Sequence, residues 1–287
     1  MNYKILFFSC LLFLATNSFA QDENTANKPD NVPHKAMAYS LGYSHLRIQD
    51  TQVSPFIYSS NNIPINIGFL KRKNNSIFAV DFHLDLGNIK NKTHPDRLFY
   101  LNSTNNEGEV EVNEYEMSNF SIIQEGLTIS YLRKTNLINN EKFDLYLGGK
   151  VNQYFLLSFT VLPIFVISEL TINPTAYLNY TLSKTTKMSA SMSFPIAGIM
   201  SRLPYSNDPA DGKHGSFISV YTTGTKFSHP GNYQKIDFSF MYSKQLNKRW
   251  EINYIYGFQW LHYSQNRGVK AYNNQFAVQF NRKFKSK

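Results

Sequence analysis

Polar and apolar residues alternate with a period of two over much of this chain. In "SIFAVDFHLDLG" Phe78, Val80, Phe82, Leu84 and Leu86 take the even positions, with Asp81, His83 and Asp85 at odd positions among them. Leu170, Ile172, Ala176, Leu178, Tyr180 and Leu182 alternate likewise with Thr171, Asn173, Thr175, Tyr177, Asn179 and Thr181. Met188, Ala190, Met192 and Phe194 are separated by serines, and Ile236 and Phe238 by Asp237. Successive side chains of a strand point to opposite faces, so each segment has one apolar and one polar face. The pattern predicts ten strands, at about 36–48, 62–71, 76–89, 117–133, 143–156, 166–183, 187–199, 233–245, 249–264 and 271–284. Twelve would follow if residues 215–226, "SFISVYTTGTKF", formed a pair within the wall.

A soluble sandwich shows the same alternation with its apolar faces inward. Three features favour the inverted arrangement, an antiparallel up-and-down transmembrane barrel over residues 35–287. The segments run to about 10–16 residues, against a usual five or six. Their connections alternate between short ones, "KRKNN" and "SKTT", and long ones near 90–116 and 201–232. Barrels of the outer membrane have short periplasmic turns and longer extracellular loops. The third feature is metric. In "RWEINYIYGFQWLHYSQ" Trp250 and Trp260 are ten residues apart, roughly 33 Å along a strand at ~3.3 Å per residue. With a tilt of ~40° they stand ~25 Å apart along the membrane normal, the separation of two aromatic girdles. Glu251, Asn253 and Gln259 then face the lumen. Aromatic residues near the end of the last strand resemble the signal that the outer-membrane assembly machinery reads, here followed by "KSK".

The start of the chain supports the same destination. Lys4, the apolar run "ILFFSCLLFLA" and small residues at Ser18 and Ala20 read as a secretory signal peptide over residues 1–20. Residues 21–34, "QDENTANKPDNVPH", read as a flexible periplasmic leader. The single cysteine, Cys10, lies within the signal, so no disulfide framework is expected. The net charge of +9 would suit an anionic lipid partner such as lipopolysaccharide. No nucleic-acid motif accompanies it. The expected location is the outer membrane of a Gram-negative bacterium, with a membrane-protein complex as a further partner.

Candidate chemistry is sparse. Asp81, His83 and Asp85 share the lumen face of one strand, and with Glu251 they make a polar lumen cluster. Imidazole and carboxylates are transition-metal donors, but three donors on one strand rarely converge, so no metal and no cofactor is expected. A salt-bridge network with basic residues such as Lys150, which shares its face with Asp144, is the simpler expectation. Glu107, Glu109, Glu111, Glu114 and Glu116 make an acidic loop without calcium-loop spacing. His262 and Ser264, at the outer end of their strand, resemble the H-x-S pattern of lipid A deacylases and outer-membrane phospholipase A, whose catalytic pair sits outside a barrel. Those families place an orienting acid or amide about a dozen residues beyond the serine, and Phe276 stands there in this chain. A hydrolase is therefore the alternative, beside a narrow solute pore, to a structural, binding or accessory barrel.

The mature chain as a whole resembles the uncharacterised outer-membrane barrel proteins of Bacteroidota. The resemblance rests on "SPFIYSSNNIPINIGFLKRKN", "FPIAGIMSRLPYSNDP" and "KRWEINYIYGFQWLHYSQNRGVKAYNNQ". It implies a signal peptide, an outer-membrane barrel and no established activity.

Overall fold

The computed structural model describes residues 34–51, 56–91, 98–104, 110–116, 120–138, 140–159, 163–202, 221, 224–265 and 268–284. The signal peptide, residues 21–33 of the leader and Glu107 and Glu109 of the acidic loop lie outside them, and His34, the last leader residue, opens the first strand. The strands are β1 (His34–Asp50), β2 (Tyr58–Lys73), β3 (Ser76–Asn91), β4 (Leu98–Thr104), β5 (Val110–Glu116), β6 (Phe120–Lys134) and β7 (Phe143–Phe159). They continue with β8 (Pro163–Thr181), β9 (Thr186–Ser193), β10 (Ala197–Arg202), β11 (Thr225–Ser228), β12 (Tyr233–Gln245), β13 (Trp250–Tyr263) and β14 (Val269–Phe284). Among the described residues β4 and β5 pair only with each other, as a hairpin between β3 and β6 in chain order that carries Glu111, Glu114 and Glu116.

The other strands close a ring. β1 pairs antiparallel with both β2 and β14, and the wall continues through β3, β6, β7 and β8 on one side and β13 and β12 on the other. β9 joins β8 to β12 and closes it. β10 continues β9 along β8, and β11 pairs with β10. The circumference therefore has ten positions, with two wall strands each broken into two pieces. The twelve-strand alternative does not hold over the described residues: Thr225–Ser228 prolong a wall strand and add no position to the ring.

Local chemistry sets the two rims. Lys73 pairs with Ser76, so Asn74 and Asn75 form a two-residue hairpin turn, and asparagine tolerates the positive φ that such turns require. Between β12 and β13 the Asn247 side-chain oxygen accepts from the backbone N–H of Arg249 (2.8 Å) and Trp250 (2.9 Å), which fixes that turn. These connections and residues 135–138, 140–142 and 182–185 make a turn rim; the opposite, loop rim is marked by the strand ends at Asp50, Asn91, Phe120 and Tyr263. Close approach of backbones demands glycine at Gly42, where a Cβ would stand 2.1 Å from the Phe276 carbonyl oxygen.

Burial follows the alternation. On β1 Ser40, Ser44, Leu46 and Ile48 are buried in the lumen, while Tyr39, Leu41 and Tyr43 are exposed on the outside. The outer wall is aromatic and aliphatic on every side, with Ile65, Phe82, Ile129, Ile172, Phe238 and Val278 all exposed. Nothing among the described residues covers this apolar belt, and such a surface is stable only in lipid.

Candidate functional site

The lumen is layered, and its layers identify what the interior can do. Near the loop rim buried apolar side chains from all round the ring meet in the lumen as one layer. Ile48 of β1, Ile89 of β3, Ile122 of β6, Leu156 of β7, Ile167 of β8 and Leu261 of β13 belong to one buried cluster. Met200 of β10 and Tyr233 of β12 complete its circumference, and Phe56 packs against it. On the same side of the barrel the buried Arg202 forms an ion pair with Asp50, and its guanidinium lies 5.7 Å from the centre of the Tyr263 ring.

Beneath the apolar layer sits a buried polar one. Glu169 of β8 is paired with Lys235 of β12 and accepts the Tyr233 hydroxyl. Asn152 donates to the same carboxylate at 3.3 Å. Lys235 Nζ stands 5.3 Å from the Tyr154 ring centre, and the Tyr154 hydroxyl donates to Gln124 at 2.8 Å. Every charge here has a partner, as burial at this depth requires.

Asp81, His83 and Asp85 all point into the lumen from β3, at successive heights. His83 Nε2 lies 3.1 Å from Asp85 Oδ1, and its other ring nitrogen meets Asn66. The Ser44 hydroxyl donates to Asp85 at 2.9 Å. Asp81 stands one step nearer the turn rim, at the level of Lys150. Lys150 is bound to Asp237 (3.0 Å), which also accepts from Gln259 (2.8 Å); Asp144 is paired with Lys134 instead. Glu251 does not join Asp81, His83 and Asp85. It lies near the turn rim, bound to Lys283 (2.8 Å) and Asn281 (3.1 Å). Among the described residues no three His, Cys, Asp or Glu side chains are grouped to hold a metal ion.

Glu169, Tyr233, Lys235 and Arg202 were not singled out from the sequence. A signal existed for two of them. Glu169 has the inward parity of Thr171 and Asn173, and Lys235 that of Asp237. Their meeting is not readable from parity, because β8 and β12 are separated in the ring.

Outside the wall, Trp250 and Trp260 face outward near the turn and loop rims, with Arg282 over the Trp250 ring at 6.0 Å. His262 packs beside Trp260, ring centres 6.3 Å apart, and is paired across the sheet with Lys270 and Gln234. The Ser264 hydroxyl donates to the Asn232 backbone carbonyl at 3.3 Å. The two therefore do not form the hydrogen-bonded nucleophile and base that serine hydrolysis needs. Phe276 is remote: it lies opposite Tyr256, six residues down β13 from His262, roughly 20 Å at ~3.3 Å per residue. We expect purified protein to release no fatty acid from phospholipid or lipid A, and Ser264→Ala to leave membrane lipid composition unchanged. Fatty-acid release lost in both Ser264→Ala and His262→Ala would show the reverse.

A closed antiparallel ring, an apolar outer belt and strands long enough to cross a bilayer define a transmembrane β-barrel of the outer-membrane class. No protein-family model matches the chain, and no curated protein matches it. Among solved structures it is similar to the outer-membrane protease OmpT from Escherichia coli, at 8% identity over 91% of this chain and 99% of that one, with a TM-score of 0.43. It is also similar to an outer-membrane channel from Pseudomonas putida F1, at 11% identity over 92% and 100% with a TM-score of 0.42. A third is the translocator domain of the autotransporter NalP from Neisseria meningitidis, at 13% identity over 95% and 94% with a TM-score of 0.39. None of these likenesses carries an activity to this chain.

Proposed function

We propose that the chain is a non-conducting outer-membrane protein of a Gram-negative bacterium with a structural, binding or accessory role. The observation that carries this reading is the apolar layer across the lumen, underlain by the Glu169–Lys235 pair. An ion entering from the turn rim meets a polar layer whose charges are paired and then a layer of mainly apolar side chains. The alternation of short and long connections supports a turn rim in the periplasm and a loop rim outside the cell. The quoted resemblance supports a source among Bacteroidota. The basic chain and the outward-facing Arg47, Lys270 and His262 beside Trp260 support contact with the phosphates of lipopolysaccharide. The outward aromatic Phe284 at the end of β14 supports insertion by the outer-membrane assembly machinery.

Planar-bilayer recording tests the closed lumen. Purified barrel should give little or no stable conductance, and steady openings of porin size would overturn the reading. A ten-stranded wall favours the same outcome, because small barrels fill their interior with side chains whereas porins use sixteen strands or more.

A further inference from the structure

Between the turn rim and the Lys150–Asp237 pair the lumen is not filled. It holds a chamber of about 1390 Å³. Six cations line it, Arg72, Lys150, Lys184, Lys187, Lys248 and Lys283, against three carboxylates, Asp81, Asp237 and Glu251. Lys150 and Lys283 are bound to Asp237 and Glu251. Arg72 and Lys187 are different. Among the described residues neither side chain has an ion pair, and the Nε of Arg72 is buried without a hydrogen-bond partner.

The ring order places these two charges on opposite walls. β2 and β9 are five positions apart in a ring of ten. Arg72 pairs with His34 and Ile77, and Lys187 with Thr181 and Ser243, so both lie near the turn rim. Lys187 lies within electrostatic reach of Arg72 and Lys283 as like charges and of Glu251 and Asp144 as opposite ones. The guanidinium of Arg72 lies over the Tyr146 ring, 5.7 Å from its centre. That stacking holds the guanidinium in place and leaves its edge N–H groups able to bind a two-oxygen anion. The remaining lining is rich in hydroxyls and amides, including Thr175, Asn179, Ser191, Ser239, Ser243 and Gln279.

We propose that this chamber binds an acidic sugar entering from the turn rim. Its phosphate or carboxylate sits between Arg72 and Lys187, and its hydroxyls meet the serine and amide lining. The inference rests on the sealed lumen, because a through-pore would pass such a ligand instead of holding it.

Calorimetry on the folded barrel in detergent tests it, with glucose 6-phosphate as the probe and glucose and inorganic phosphate as controls. Glucose 6-phosphate should bind saturably, and each control about tenfold more weakly or worse, because each lacks one half of the recognition. Arg72→Gln and Lys187→Gln should each weaken binding by about tenfold. Arg72→Lys, which keeps the charge, should lose less than Arg72→Gln. Folding of each variant is checked by its heat-modifiable gel mobility, and Lys187→Gln alone decides if Arg72 variants do not fold. No saturable binding, a control as tight as the probe, or an unchanged affinity in the folded variants would overturn the inference. Conductance of the same preparation separates the two readings: steady openings sink the sealed lumen, whereas a closed barrel without binding sinks only the acidic-sugar site.

Discussion

Glu169→Gln should destabilise the folded barrel by about 3–5 kcal/mol, the usual effect of removing one member of a buried ion pair. Lys235 and Glu169 are almost fully enclosed, with 2% and 0% of their side chains exposed. A neutral amide leaves the Lys235 ammonium charged beneath the apolar layer, where water cannot solvate it. The Tyr233 hydroxyl also loses its charged acceptor. The double replacement Glu169→Leu with Lys235→Met should behave differently. Removing both charges together removes the desolvation penalty as well as the attraction, so the double variant should be near neutral or more stable, by up to about 4 kcal/mol. Urea unfolding of the barrel in lipid vesicles measures both. A Glu169→Gln barrel within about 1 kcal/mol of the parent would show that the pair is solvated and the lumen wet at this level.

Leu41→Arg should destabilise the barrel in a bilayer by about 2–4 kcal/mol, the magnitude for a cation on the lipid face near the membrane midplane. Leu41 is 60% exposed. It sits near the middle of β1 between Ile65 of β2 and Val278 of β14, with Tyr39 and Tyr43 on the same face. In water such a surface replacement changes stability by only about 0.5 kcal/mol either way. The same substitution therefore separates a lipid-facing wall from a solvated one. As a control, Ser59→Arg replaces an outward residue at the loop rim, where the penalty falls to about 0–1 kcal/mol. Equal effects at positions 41 and 59 would remove the membrane from the argument.

The alternation of Phe78, Val80, Phe82, Leu84 and Leu86 with inward Asp81, His83 and Asp85 was legible because side-chain direction in a strand is a local property. A residue and its second neighbour share a face whatever the rest of the chain does. The break at Phe194–Pro195–Ile196 shows where local reading stops. Extended unbroken, the parity of Met188, Ala190 and Met192 would put Met200 outside. β8 instead pairs Thr175 with Ser193 but Ile172 with Ala197, a shift of one residue across the proline. Proline has no N–H for the ladder and is placed at such irregularities. Met200 and Arg202 consequently point inward, Met200 into the apolar layer and Arg202 to its ion pair with Asp50.

The sequence by itself predicted long wall strands, ten or twelve of them, and their inward and outward faces up to the break at Phe194–Ile196, all consequences of a period-two pattern. The tertiary structure alone decided which inward charges meet. Glu169 and Lys235 are 66 residues apart, and Arg202 and Asp50 are 152 apart. Arg72 and Lys187 face each other only because the sheet closes. Parity assigns a side chain to the lumen, but its height there depends on the stagger between strands, and its neighbours across the lumen on ring order. Both are set by closure of the whole wall, so the apolar layer and the charged chamber became visible only once the ring was complete.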